Sequence, residues 1–301
     1  MKELKFGVIG HPIAHTMSPF IHSRLFQLSG IQANYEVYDI PPDSLESSME
    51  QLRTLDGFNI TIPHKQAIIP LLDGLDAKAE FFHSVNTVKN ETGLHTGHTT
   101  DGIGFTKALE AAGVKPGCRT LLLGCGGAAR VMAFETVLAA KEPDLTIAVR
   151  DHAKEDANRF LETLAELLRK QGKEFRLCQC TYEELECESS VTGKYTPPPF
   201  DLLVNGTPVG MHPKVGVSPV SKAVVGRCAA VFDAVYNPDE TELLRIARSL
   251  NKTAVHGMAM LVWQAVAAHE IWDGSTYRAE DINQLCSDAV VQMQKLFGGA
   301  E

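Results

Sequence analysis

The chain has 301 residues, 44% of them hydrophobic and 22% charged, enough for about two domains of about 150 residues with cores of their own. A formal net charge of −9 excludes a general polyanion-binding surface and argues against nucleic-acid or polybasic-membrane partners. No apolar run approaches the roughly 18 residues of a transmembrane helix, the start "MKELKFGVIG" reads as a strand and not a signal peptide, and seven cysteines without framework spacing fit a reducing compartment, so a cytoplasmic protein is expected.

Strands and helices alternate, the pattern of an α/β fold with mostly parallel sheets. "LKFGVIG" is a strand, and Ser18-Pro19 opens the helix "PFIHSRLFQLSG", stopped by Gly30. "ANYEVYDI" alternates as a strand, and "DSLESSMEQLRTL" is a helix with Asp43 as its expected N-cap. In "GFNITIPHKQ" the alternation places Phe58, Ile60 and Ile62 on one strand face, with Pro63 at the first position of the next helix. Lys65 then falls in a first helical turn, where the helix dipole disfavours a cation. Helices continue to Phe82, followed by short strands "SVNTVK" and "LHTGHTT" around a turn at Asn90–Gly93, and Asp101 begins a helix ending at Gly113.

A second alternation starts at Arg119. "RTLLLGCGG" is a buried strand entering a glycine turn, "AARVMAFETVLAA" a helix, "DLTIAVR" a strand, "KEDANRFLETLAELLRKQG" a helix and "FRLCQC" a strand. "ECESSVTGKYTPPPF" lacks a period and reads as a loop. "DLLVNGTPVGM" and "AAVFDAVY" are strands, "TELLRIARSL" a helix, "KTAVHG" a strand, "MAMLVWQAVAAHEIW" an apolar helix, and "GGAE" a frayed tail.

Gly124, Gly126 and Gly127 lie between an apolar strand and a helix, the context that dinucleotide binding requires, with Ala129 at the third fingerprint position. The first glycine permits a tight turn, the second close approach of backbone N–H groups to a pyrophosphate, and the helix start attracts the phosphates. At the end of the next strand Arg150 and Lys154 favour the 2′-phosphate of NADP, whereas Asp151 opposes it, so NAD stays open. Cys178, Cys180 and Cys187 are too loosely spaced for zinc, and no metal is predicted. Cys118, Cys228 and Cys286 read as small core residues, and His64, His98 and His256 as packing or surface residues.

The motifs "GHPIAHTMSPFIH", "GFNITIPHK", "SVNTV", "TTDGIG", "LGCGGAAR", "NGTPVGM", "DAVYNPDET" and "GMAMLVWQA", in this order, resemble the shikimate dehydrogenase family along nearly the whole chain. The resemblance implies NADPH-dependent reduction of 3-dehydroshikimate to shikimate in aromatic amino-acid biosynthesis, by a monomer or homodimer. It implies an N-terminal α/β substrate domain, residues 1–101, completed by a helical segment 257–301. A Rossmann-type doubly wound parallel-sheet NAD(P) domain would span 102–256, with the active site in the cleft between them.

By resemblance, Lys65 and Asp101 are the catalytic pair: a carboxylate offsets the helix start beside the ammonium, and together they move the hydroxyl proton. Thr16, Ser18 and Tyr236 match residues that hold the substrate carboxylate, and Thr61, Asn86, Asp101 and Gln264 those around the ring hydroxyls. Gly124, Gly126, Gly127, Ala128, Arg150 and Lys154 match the phosphate side of the cofactor site, and Asn205, Thr207, Ala234 and Gly257 its nicotinamide half. Departures are Thr16 for serine, Thr99 for the asparagine before "TD", Val149 and Asp151 in the cofactor loop, and an expanded 151–200 segment. Two other readings compete. One is a paralogue preferring quinate, with NAD. The other is a non-catalytic ligand-sensing module, against which the intact Lys65–Asp101 pair argues.

Overall fold

A computed structural model describes residues 3–14, 16–190 and 200–297. The chain divides into two compact units, Met1–Gly104 with Leu261–Glu301, and Phe105–Met260.

In the first unit the order is β1 (Leu4–Gly10), α1 (Ser18–Ser29), β2 (Ala33–Asp39), α2 (Leu45–Leu52), β3 (Gly57–Ile60), α3 (His64–Ala67), β4 (Gly74–Leu75), α4 (Ala77–Phe82), β5 (Thr87–Glu91) and β6 (Leu94–His98). Helix α5 (Asp101–Ala111) follows. The sheet runs β2-β1-β3-β5-β6-β4, parallel at β2/β1, β1/β3 and β6/β4, antiparallel at β3/β5 and β5/β6. The β5–β6 hairpin turns at Thr92 and Gly93, both with positive φ, as a two-residue turn of matching twist demands. One buried cluster holds Ile9, Leu52, Phe58, Ile68 and Val88; another holds Phe6, Val8, Phe26, Tyr35 and Trp272.

The second unit contains β7 (Thr120–Leu123), α6 (Gly127–Ala139), β8 (Asp144–Val149), α7 (Lys154–Lys170), β9 (Arg176–Thr181), α8 (Tyr182–Ser190), β10 (Phe200–Asn205), α9 (Lys222–Gly226), β11 (Cys228–Asp233), α10 (Glu242–Ser249) and β12 (Thr253–His256). Its sheet, β12-β11-β10-β7-β8-β9, is parallel throughout. The order reverses between β7 and β10, the switch point outside whose strand ends nucleotides bind in such folds. Helix α11 (Gly257–Asp273) then leads into α12 (Ala279–Phe297). The predicted α/β architecture with a doubly wound parallel sheet is the one observed.

Four local expectations are corrected. Ile62 is 74% exposed, because β3 ends at Ile60 and the face that buries Phe58 and Ile60 does not continue. Pro63 sits at the N-cap of α3, a single turn beginning at His64. Asp43 lies inside a short 3-10 turn, Pro42–Ser44, so the N-cap of α2 is Ser44. The first residues of "ECESSVTGKYTPPPF" belong to α8, whose start is a reciprocal capping box. Thr181 Oγ1 accepts from Glu184 N at 3.0 Å, and Glu184 Oε2 accepts from Thr181 N at 2.7 Å. The remainder of that predicted loop, 191–199, and the predicted frayed tail, 298–301, lie outside the described residues.

Candidate active site

Asp101 is the first residue of α5, where a carboxylate suits the helix dipole. Lys65 Nζ donates to its Oδ2 at 2.7 Å, with side-chain exposures of 29% and 12%. Both are thus sheltered yet reachable. The turn carrying Lys65 is pinned from two sides: the buried His64 donates through Nε2 to the Ile40 carbonyl at 2.6 Å, and the Lys65 carbonyl accepts from Val85 N at 2.8 Å. The second contact ties Lys65 to the segment that presents Asn86.

Asn86 Nδ2 donates to Asp101 Oδ1 at 2.7 Å and to Gln264 Oε1, on α11, at 3.2 Å. Its amide orientation is forced, because Oδ1 accepts from the Thr100 backbone N–H at 2.8 Å. Asn86, Asp101, Lys65 and Gln264 therefore converge. Thr61 stands just past β3, its backbone N–H bonded to the Ile9 carbonyl at 2.9 Å. At the start of α1, Thr16 Oγ1 accepts from Ser18 N at 3.2 Å, which leaves the threonine hydroxyl proton free to be donated elsewhere.

Behind these residues runs a polar line that sequence reading did not assign. Tyr35 OH donates to Asn59 Oδ1 at 2.8 Å, Asn59 Nδ2 to Thr87 Oγ1 at 3.1 Å, and Thr87 Oγ1 to Asn86 Oδ1 at 3.1 Å. Tyr35, Thr87 and Asn86 are buried, so each depends on these partners. His22 stacks on Tyr35, with ring centroids 4.2 Å apart, and its Nδ1 meets His269 Nε2 at 3.1 Å. His269 Nδ1 meets Tyr277 OH at 2.8 Å.

The second unit holds a cavity of about 610 Å³ lined among others by Gly124, Gly126, Arg150, Tyr182 and Thr207. Gly124 has φ +89, the left-handed conformation that the tight turn demands, and a Cβ there would meet Thr207 Cγ2 at 2.7 Å. A Cβ at Gly126 or Gly127 would project into open space, room that a pyrophosphate needs beside the start of α6. Arg130 braces this turn, donating to the Cys125 carbonyl at 3.0 Å and to Asp156 at 2.5 Å. These features fit a dinucleotide.

Of the other predicted cofactor residues, Gly127, Ala128, Lys154, Asn205, Ala234 and Gly257 do not line the cavity. Lys154 Nζ is 3.2 Å from Asp151 and 3.8 Å from Glu184, whereas Arg150 and His152 of the β8 loop line the cavity. Asn205 is fully buried. Its Nδ2 donates to Asp233 Oδ1 at 2.9 Å, and its Oδ1 accepts from Thr207 N at 3.0 Å and Thr207 Oγ1 at 2.7 Å, so it shapes the loop that Thr207 presents. Burial pushes the Asp233 carboxyl up, against hydrogen bonds from Thr241, Val235 and Asn205. Gly257 is required by packing, since a Cβ would come within 2.4 Å of the Ala234 carbonyl oxygen. Tyr236 lies in the same unit, and burial pushes its phenol up, so it remains a donor at neutral pH. Among the described residues no group of three or more His, Cys, Asp or Glu side chains is placed to hold a metal, and no helix is long and apolar enough to cross a membrane.

Residues 8–88 match the shikimate dehydrogenase substrate binding domain. A shikimate dehydrogenase (NADP(+)) of Caldanaerobacter subterraneus subsp. tengcongensis is 38% identical over 275 residues, 90% of this chain and 92% of the relative. The chain belongs to the shikimate dehydrogenase family. This family member is similar in structure to a chorismate mutase/shikimate 5-dehydrogenase fusion protein from Clostridium acetobutylicum, with a TM-score of 0.82, 30% identity and coverage of 98% of this chain and 100% of that one. It is also similar to the shikimate 5-dehydrogenase of Thermus thermophilus solved in complex with NADP(H) and shikimate, with a TM-score of 0.77, 29% identity and coverage of 95% and 99%.

Proposed function

We propose that the protein catalyses reversible NADPH-dependent reduction of 3-dehydroshikimate to shikimate. The observation that carries this reading is the convergence of Lys65, Asp101, Asn86 and Gln264. Bound nicotinamide supplies or accepts the hydride at the carbon bearing the oxygen. Lys65 gives its proton to the ketone oxygen in reduction and recovers one in the reverse direction, while Asp101 holds the ammonium in place. Asn86, Gln264, Thr61 and Asp101 bind the ring hydroxyls, and a missing hydroxyl would leave sheltered polar groups unpaired, which gives the site its selectivity. Thr16 and Ser18 hold the carboxylate as hydroxyl donors.

The glycine turn and the start of α6 receive the pyrophosphate, and Arg150 the 2′-phosphate. The substrate-binding role belongs to residues 1–101 with 257–301 and the cofactor role to 102–256. The seven free cysteines support a reducing, cytoplasmic setting.

The test is absorbance of the reduced nicotinamide on mixing the protein with shikimate or quinate, each with NADP and with NAD. Shikimate with NADP is expected to give the highest kcat/KM. Turnover of quinate alone would replace the substrate reading, and no turnover with any pair would remove the enzymatic one.

A further inference from the structure

Asp151 is the carboxylate that the sequence sets against a 2′-phosphate, but it is not the one that lines the cofactor cavity. Its Oδ1 lies 3.2 Å from Lys154 Nζ, which also has Glu184 Oε1 at 3.8 Å. Lys154 thereby offsets both carboxylates. Its ammonium is held up first by the bond to Asp151 and least by Glu183. Glu183 is the acidic residue that lines the cavity, together with Arg150 and His152. Among the described residues it enters no salt bridge, so its charge is not offset as theirs is.

Strand pairing brings Glu183 to the phosphate side. Val149 pairs with Thr181 at the ends of β8 and β9, so the loop carrying Arg150 and the first turn of α8 leave the sheet side by side. Neighbouring strands are about 4.8 Å apart. A phosphate held at Arg150 then stands about 5–10 Å from the wall that Glu183 forms, within the roughly 10 Å screening length of 0.1 M salt.

We propose that Glu183 is a specificity-determining residue that opposes the 2′-phosphate and so limits the preference for NADP over NAD. This rests on the placing of that phosphate at Arg150. The phosphate carries about −1.5 to −2 charges at neutral pH, and NAD carries none at that position. Glu183 therefore penalises NADP selectively while Arg150 favours it, and the observed preference is the difference between the two. An acidic residue in the first turn of a helix also suits the helix dipole, but that role alone would leave nucleotide choice untouched.

The test is calorimetric binding of adenosine 2′,5′-bisphosphate and adenosine 5′-monophosphate, which differ only in the 2′-phosphate. It compares the wild type with Glu183→Gln, Glu183→Lys, Asp151→Asn and Arg150→Ala. Glu183→Gln should raise the bisphosphate/monophosphate affinity ratio about threefold, the scale of an exposed charge pair, and Glu183→Lys about tenfold. Asp151→Asn should change it by less than about 1.5-fold, and the glutamine gain should shrink at about 0.5 M salt. An unchanged ratio in Glu183→Gln, a gain indifferent to salt, or an equal gain in Asp151→Asn would overturn the inference. Arg150→Ala reports separately on the reading beneath it and should lower the ratio about tenfold. A ratio unmoved by that variant would show that the phosphate binds elsewhere, and the inference would fall with the assignment.

Discussion

Lys65 and Asp101 meet at 2.7 Å through one carboxylate oxygen, while Asn86 occupies the other oxygen at the same distance. The carboxylate is thus shared between a cation and a fixed amide. A group placed this way acts on the chemical step more than on binding, so Lys65→Ala should lower kcat by about a hundredfold or more with little change in KM. Steady-state rates with shikimate and NADP check it. A raised KM at near-normal kcat would make Lys65 a binding residue.

Thr16 already accepts from Ser18 N, so its remaining contribution to a carboxylate is one donated proton, as serine would give. In the proposed binding of the carboxylate, its extra methyl group adds bulk beside the carbon at which quinate carries an additional hydroxyl. Shikimate should therefore be preferred, and Thr16→Ser should narrow the gap in kcat/KM between the two acids. A wild-type preference for quinate would contradict this argument.

Cofactor choice should depend on Arg150 and hardly on Lys154, which is engaged by Asp151 and Glu184. A charge-assisted contact contributes about 1.5–3 kcal/mol before screening, so at an exposed loop roughly tenfold discrimination is expected. Arg150→Ala should lower the NADP/NAD ratio of kcat/KM by about that factor and Lys154→Ala by much less. Equal losses would show that the Lys154 ion pairs give way to the phosphate.

The His22–His269 pair makes the first unit sensitive to acid. Burial, and for His22 also the neighbouring imidazole, holds His22 well below the ordinary imidazole range, and burial brings His269 down to about 3. Unfolded imidazoles take up protons below about pH 6.5 and the folded ones do not. The unfolded state then binds more protons, so stability is lost as pH falls from about 6.5 toward 3. Urea midpoints at pH 7.5, 6 and 5 should decline in that order, and more shallowly in His269→Phe. A flat profile would mean that the two rings accept protons in place.

Gly257→Ala should destabilise the second unit, because the added methyl meets the backbone of Ala234 and Val235, not a side chain that could swing away. Overpacking of this kind costs about 1–3 kcal/mol and should lower the urea midpoint. An unchanged midpoint would show that β11 and the start of α11 can part without loss.

Much of this was legible in the sequence where a residue announces itself locally. Gly124 does so by sitting between an apolar strand and a helix, and Lys65 by standing in a first helical turn beside two polar side chains. The line through Tyr35, Asn59 and Thr87 was not legible, although Asn59 lies only two residues before Thr61. Its members come from different strands, 24 and 28 residues apart, and only the strand order brings them together. Lys154 matches a phosphate-binding pattern by position, but its ion pairs with Asp151, just before α7, and Glu184, on α8, are set by the fold and could not be read from spacing. The "TYEE" capping box is a helix-start signal for α8 that the turn residues after it obscure.

That box has a consequence for engineering. The wall of the cofactor cavity at Tyr182 is referenced to β9 through Thr181 and Glu184, and α8 is tied again where Glu186 accepts from Ser221 N at 2.8 Å. Substitutions meant to reshape the nucleotide-facing surface at Tyr182 therefore have to preserve Thr181 and Glu184, whose loss would move that wall without touching a cavity residue.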